Sequence, residues 1–207
     1  PAPDLPPVPA CVTAIANPVI DLSGSWLWAE NFAESTGKDP NQVWINNPDL
    51  VWKPIDLPSD LSALGIAQPD GPRAFRRMLA IPGDFAGHQV RLRFEGAVYE
   101  ATVWIDGHEA GSHCGGFTTW DLDITALVTP GTDAELTVGL RDRTDQLHPE
   151  NLGGLIRPVF LMALPPVHIR RLHHRTRICP NGIDFELDLN IALSCREGTV
   201  LHGKQVR

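Results

Sequence analysis

The amino-acid sequence predicts an all-β protein built as a β-sandwich or jelly roll, and three observations lead there. Apolar and polar residues alternate along short segments. In His88–Gly96, for example, Val90, Leu92 and Phe94 point one way while Arg91, Arg93 and Glu95 point the other, the period-two pattern of a strand with one buried face. Turn residues punctuate these segments at Asp106-Gly107, Gly115-Gly116, Pro130-Gly131, Gly153-Gly154 and Pro180-Asn181-Gly182. Many short strands at such spacing make sandwiches and jelly rolls. No segment sustains a 3.6-residue apolar repeat long enough for an ordinary helix.

The elements follow in order. The start, PAPDLPPVPA, is proline-rich and reads as an extended or disordered lead-in over residues 1–18. Val19 to Ala29 reads as strand, with Trp26 and Trp28 on one face. A core role for these two outweighs an exposed platform for a sugar ring, because tryptophan is usually buried. Residues 30–50 are polar and read as a long loop. Val51 to Pro58 is a short strand. Ser59 to Gly65 suits one helical turn, with Ser59 as cap and Gly65 as stop. Arg73 to Ile81, His88 to Gly96, and Glu100 to Asp106 are strands. Asp106-Gly107 suits a type I′ turn, whose two central residues need positive φ, and a return strand runs to His113. Phe117 to Thr125 resumes alternation, with Trp120, Leu122 and Ile124 apolar and Asp121 and Asp123 on a solvated face, which completes a three-strand meander. Ala134 to Arg141 and Leu155 to Ala163 complete the set before Pro165-Pro166.

Charge supports a boundary at those prolines. Residues 1–165 hold 10 Lys+Arg against 21 Asp+Glu, whereas residues 166–207 hold 7 against 4. Beyond the boundary, Val167 to Ile178 and Ile183 to Leu193 read as two more strands. Two strands cannot bury a sandwich core, so residues 166–207 read as an incomplete second domain. The overall charge of −8 disfavours nucleic acid as a partner. With no apolar run of membrane-spanning length, a membrane partner is not expected either. No intact signal peptide is visible, which leaves localisation open. The four cysteines, Cys11, Cys114, Cys179 and Cys195, match no metal template and read as buried free thiols, with a Cys179–Cys195 bridge as the alternative. Neither a metal nor a cofactor is expected.

Taken together, DLSGSW at 21–26, FRR at 75–77 with IP at 81–82, LRFEGA at 92–97, VWIDG at 103–107, GSHCGGFTTWDLDIT at 111–125, LTV at 136–138 and GGLIRPVFL at 153–161 resemble, in this order, the N-terminal sugar-binding domain of family 2 glycoside hydrolases. This is the β-galactosidase, β-glucuronidase and β-mannosidase group. The resemblance implies a jelly roll over residues 19–165, then the start of an immunoglobulin-like sandwich, then a TIM barrel carrying the two carboxylates of a retaining glycosidase. A barrel needs about 250 residues, so the resemblance implies a non-catalytic accessory domain with no catalytic residue of its own. Its partners would be a β-glycoside, bound through the parent enzyme, and the two downstream domains, with a homo-oligomer left open. Alternatives are a free-standing carbohydrate-binding module and a structural or oligomerisation domain.

Candidate substrate-contacting residues are Asp142, Asp145, His148 and Glu150, in the polar loop before Gly153-Gly154. The resemblance places a substrate-reaching loop in that region; a solvated loop is the competing reading. His113 and Cys114 are neighbours, but adjacent strand residues face opposite ways, which argues against a catalytic Cys–His pair. Arg157 reads as structural, pairing with an acidic residue of the preceding loop or clamping the next domain. The basic run Arg170, Arg171, His173, His174, Arg175 and Arg177 reads as a solvated strand or a domain interface.

Overall fold

The structure, a computed structural model, describes residues 5–30, 50–66, 72–141 and 153–195. Twelve strands are present among them: β1 (Val19–Asp21), β2 (Gly24–Glu30), β3 (Lys53–Leu57), β4 (Pro72–Ala80), β5 (Gln89–Phe94), β6 (Glu100–Ile105), β7 (His108–Cys114), β8 (Trp120–Asp123), β9 (Asp133–Arg141), β10 (Val159–Leu164), β11 (Val167–Ile178) and β12 (Phe185–Cys195). A single 3-10 turn at Gly83–Phe85 is the only helical element described. A six-stranded sheet of order β3-β2-β4-β9-β6-β7 faces a four-stranded sheet of order β1-β10-β5-β8, and β11-β12 form a separate hairpin. The fold is the all-β sandwich that the alternation predicts.

The inward residues of both sheets form one core. Trp26, Trp28, Phe75, Val103, Ile105, Leu136 and Val138 from the large sheet join Val90, Leu92, Phe94, Trp120 and Leu161 from the small one. Each fully buried side chain of this kind stabilises the fold by about 1.5–3 kcal/mol. Trp26 and Trp28 are buried, and the Trp26 indole donates to the Leu22 carbonyl at 2.7 Å. They are core residues and offer no sugar platform.

Several local expectations change. The segment read as one strand over Val19 to Ala29 is two: β1 pairs with β10 in the small sheet, and Gly24, at φ 101°, turns the chain into β2 of the large one. The meander is broken in the same way. β6 and β7 pair in the large sheet around a type I′ turn, with Asp106 at φ 48° and Gly107 at φ 77°, but β8 pairs with β5 across the sandwich. Gly115 (φ 132°) and Gly116, packed on Val98, carry the crossing. The turn after β3 is capped by Asp60 rather than Ser59. Asp60 accepts from the Ser62 amide at 3.0 Å and the Ser62 hydroxyl at 2.8 Å.

Where described, the lead-in is packed and turns at Val12–Ile15. Val12 and Ile15 join the core, Pro6 is buried, and the Ala16 amide donates to Asp84 at 3.0 Å. Asp121 is not solvated. Arg93 and Asp121 are register partners on the outer face of the small sheet, with side chains 7% and 2% exposed. They meet through two hydrogen bonds, Nε to Oδ1 at 2.7 Å and Nη2 to Oδ2 at 2.9 Å, and Arg93 also donates to the Pro6 carbonyl.

In the hairpin, Leu172 pairs with Ile191, His174 with Leu189, Thr176 with Leu187, and Ile178 with Phe185. Cross-strand partners share a face, so this face is apolar, and Phe185, Leu187 and Ile178 are 68%, 58% and 67% exposed. The other face mixes signs, with Arg177 3.9 Å from Glu186 and 4.0 Å from Asp188. Cys195 pairs with Val167 at one end, whereas Cys179 lies beyond Ile178 at the other. A bridge between them is therefore ruled out by reach. All four cysteines are free, but Cys11, Cys114 and Cys195 are exposed and Cys179 is half-buried, so the buried-thiol reading does not hold.

Candidate functional site

The register brings one set of strand ends together. Pro72, Arg141, Glu100 and Cys114 lie side by side at one end of the large sheet, and Val159, Phe94 and Trp120 lie side by side in the small one. Three connections cross between the sheets here: β5–β6, β7–β8 and β9–β10. Their described parts form a rim of loops at this end of the sandwich. The candidate residues Asp142, Asp145, His148 and Glu150 lie outside the described residues. Their described flanks, Arg141 and Gly153, belong to this rim.

Backbone hydrogen bonds tie the rim together. The Ser59 amide donates to the Leu155 carbonyl (2.9 Å), that of Leu61 to Gly153 (3.0 Å), that of Val98 to Gly154 (3.1 Å), and that of Gly115 to Tyr99 (3.0 Å). Arg157 donates through Nη1 to the carbonyls of Glu95 (3.4 Å) and Phe117 (3.2 Å). Among the described residues the partners of Arg157 are these two carbonyls; the acidic residues of the preceding loop lie outside them. Phe117 and Tyr99 are exposed here, and neither stood out in the sequence. Asp60 was missed as well, although Asp-x-Ser is a recognisable side-chain-to-backbone turn pattern.

His113 faces Ala101 across β6–β7 and lies parallel to Trp120, with ring centroids 4.8 Å apart, while its Nε2 sits 2.9 Å from the Thr118 hydroxyl. These contacts make it part of the packing and separate it from the exposed Cys114. Burial holds its pKa below the ordinary histidine value, partly offset by a hydrogen bond with the backbone of Gly115. His168, at the root of the hairpin, is lowered by burial too, with the Pro165 carbonyl opposing. Unfolding restores both to about 6.5. Between the lowered folded pKa and that value the unfolded chain binds more protons, so stability rises with pH through the window and falls on acidification. Melting temperatures from pH 5 to 7.5 should show this slope, and it should flatten in His113→Gln combined with His168→Gln.

Among the described residues no cluster of His, Cys, Asp and Glu could hold a metal ion, and no helix is long and apolar enough to cross a membrane. The described rim pairs carbonyls, amides and aromatic rings. It can frame a polar ligand.

Residues 72–190 match the family described as glycosyl hydrolase 2 galactose-binding domain-like. A β-glucuronidase of Paenibacillus borealis is 24% identical over 210 residues, covering 87% of this chain and 34% of that protein. A β-galactosidase of Thermoanaerobacter pseudethanolicus is 29% identical over 109 residues, covering 48% of this chain and 14% of that one. A solved β-glucuronidase from an uncultured Clostridium superposes with a TM-score of 0.72 over 90% of this chain and 36% of its own, at 20% identity, which shows the shared fold. The chain thus spans about a third of the length of this Paenibacillus β-glucuronidase and of the Clostridium structure. The chain belongs to the glycosyl hydrolase 2 galactose-binding domain-like family.

Proposed function

We propose that this domain serves a retaining exo-β-glycosidase by framing, with its loop rim, an active site carried on a downstream TIM barrel. The observation that carries this reading is the family match over residues 72–190 in a chain amounting to about a third of its relatives' length. In this reading residues 1–18 are a lead-in, 19–165 the jelly roll, and 166–207 the opening of an immunoglobulin-like sandwich. The exposed apolar face of β11–β12 supports the last assignment, because a sandwich sheet of that composition needs a second sheet upon it. Asp142, Asp145, His148 and Glu150 are proposed to approach the sugar from the rim, since Arg141 and Gly153 root their segment there. Relatives named for glucuronides and for galactosides both match, so the substrate class is a terminal β-linked sugar. A free-standing sugar-binding module is less well supported, because Trp26 and Trp28 are buried.

Residues 1–207 alone should give no turnover of aryl β-glucuronides or β-galactosides above buffer. Retaining hydrolysis needs two carboxyl groups about 5–5.5 Å apart, and in this reading both are carried on the downstream barrel. The same chain continued through its downstream domains should hydrolyse one of them with retention of anomeric configuration. Turnover by the 207 residues alone, or an extended protein without glycosidase activity, would sink the proposal.

A further inference from the structure

The geometry points to Arg157 as a positioning residue that clamps the rim into one frame. Its guanidinium reaches two different loops, at the carbonyls of Glu95 and Phe117, from a third. Its stem lies on Gly96, where an added Cβ would sit 3.1 Å from both Cγ and Cδ of Arg157. Glycine at 96 is thus what lets the stem lie flat across the loop. The Pro158 carbonyl accepts from the Glu95 amide at 3.1 Å, so the loop between β5 and β6 is held by two consecutive residues. Three residues before Arg157, Gly154 sits at φ 107°, and a Cβ there would meet Leu61 Cγ and the Ser59 carbonyl, each at 3.2 Å. The buried run Gly153–Leu155 therefore lies against Ser59–Leu61 on one side and Val98 on the other. Three loops that share no sequence neighbourhood are cross-linked by this one pentapeptide, residues 153–157. Its backbone supplies the close packing, and Arg157 supplies side-chain bonds that span the β5–β6 and β7–β8 loops.

This inference rests on the reading that the rim faces the substrate, and the experiment separates the two. Arg157→Met keeps the stem and removes the donors. Hydrogen–deuterium exchange of the intact multidomain protein should then rise about fivefold in peptides covering residues 95–101 and 112–119, the loss of roughly one net hydrogen bond. Peptides of β4 and β9 should not change. KM for the β-glycoside should rise several-fold with kcat largely retained, the pattern of lost ground-state positioning. Arg157→Lys, which keeps a cation but not the fork, should recover part of both effects. Unchanged exchange in the rim, or exchange rising equally in β4 and β9, overturns the clamp. Faster rim exchange with KM unaltered upholds the clamp and overturns the substrate-facing reading.

Discussion

Asp121→Ala is expected to destabilise the jelly roll by about 3–5 kcal/mol, the cost of leaving one member of a buried ion pair unpartnered. Asp121 is nearly inaccessible and holds Arg93 by two hydrogen bonds, with Arg91 Nε a further 3.6 Å away. Removing the carboxylate strands the Arg93 charge beneath the lead-in, with the Pro6 carbonyl as its remaining hydrogen-bond acceptor. Most of the loss is the desolvated charge and not the value of the bond itself. The double replacement Arg93→Met with Asp121→Leu should therefore recover much of it, since an apolar pair of similar volume removes the desolvation cost. Urea unfolding of the parent, Arg93→Met, Asp121→Leu and the double replacement measures the coupling. A cost below about 1 kcal/mol for Asp121→Ala would mean that the pair is screened like an ordinary surface bridge and that the lead-in does not shield it.

The same pair marks how far the sequence could be read. Period two told correctly that Arg93 and Asp121 point away from Leu92 and Leu122. It could not tell that the outer face is covered, because cover comes from Pro6, 87 residues away from Arg93 in the chain. Strand identity was legible wherever alternation was strong, as in β5, β9 and β11. Sheet membership was not. β8 follows β7 closely but pairs with β5, and β1 is separated from β2 by only Leu22 and Ser23 yet belongs to the other sheet. Both crossings occur at glycines with positive φ, Gly24 and Gly115. A glycine announces a turn but not the sheet the next strand will join, which non-local pairing decides. Arg157 shows the corresponding limit at the rim: its structural role was readable from its place after Gly153-Gly154, its carbonyl partners were not. The motifs that resemble family 2 domains are architectural for the same reason. The VWIDG turn, the GG crossing and the GGLIRP pentapeptide with its proline fix how the chain crosses and closes. They identify the fold more sharply than any residue that would touch a sugar.

Phe94→Ala should cost about 3–5 kcal/mol, the range for truncating a fully buried aromatic ring. Phe94 has no accessible surface, and its ring stacks on Trp120 with centroids 4.3 Å apart and planes inclined by 9°. His113 stacks on Trp120 as well. The aromatic contact adds about 0.5–1.5 kcal/mol beyond burial, so a cycle of Phe94→Leu with Trp120→Leu should show a coupling of that size. The consequence extends past stability. Phe94 ends β5 and Trp120 begins β8, so the stacked pair roots two of the loops that Arg157 bridges. A cavity beneath them removes the floor of the rim while leaving β4 and β9 paired. Exchange in residues 95–101 and 112–119 should therefore rise more than the global loss of stability requires. If it rises only in proportion to that loss, the core and the rim unfold as one unit and the stack has no separate hold on the loops. If it rises ahead of it, the aromatic floor and the Arg157 clamp act on the same loops from below and from above.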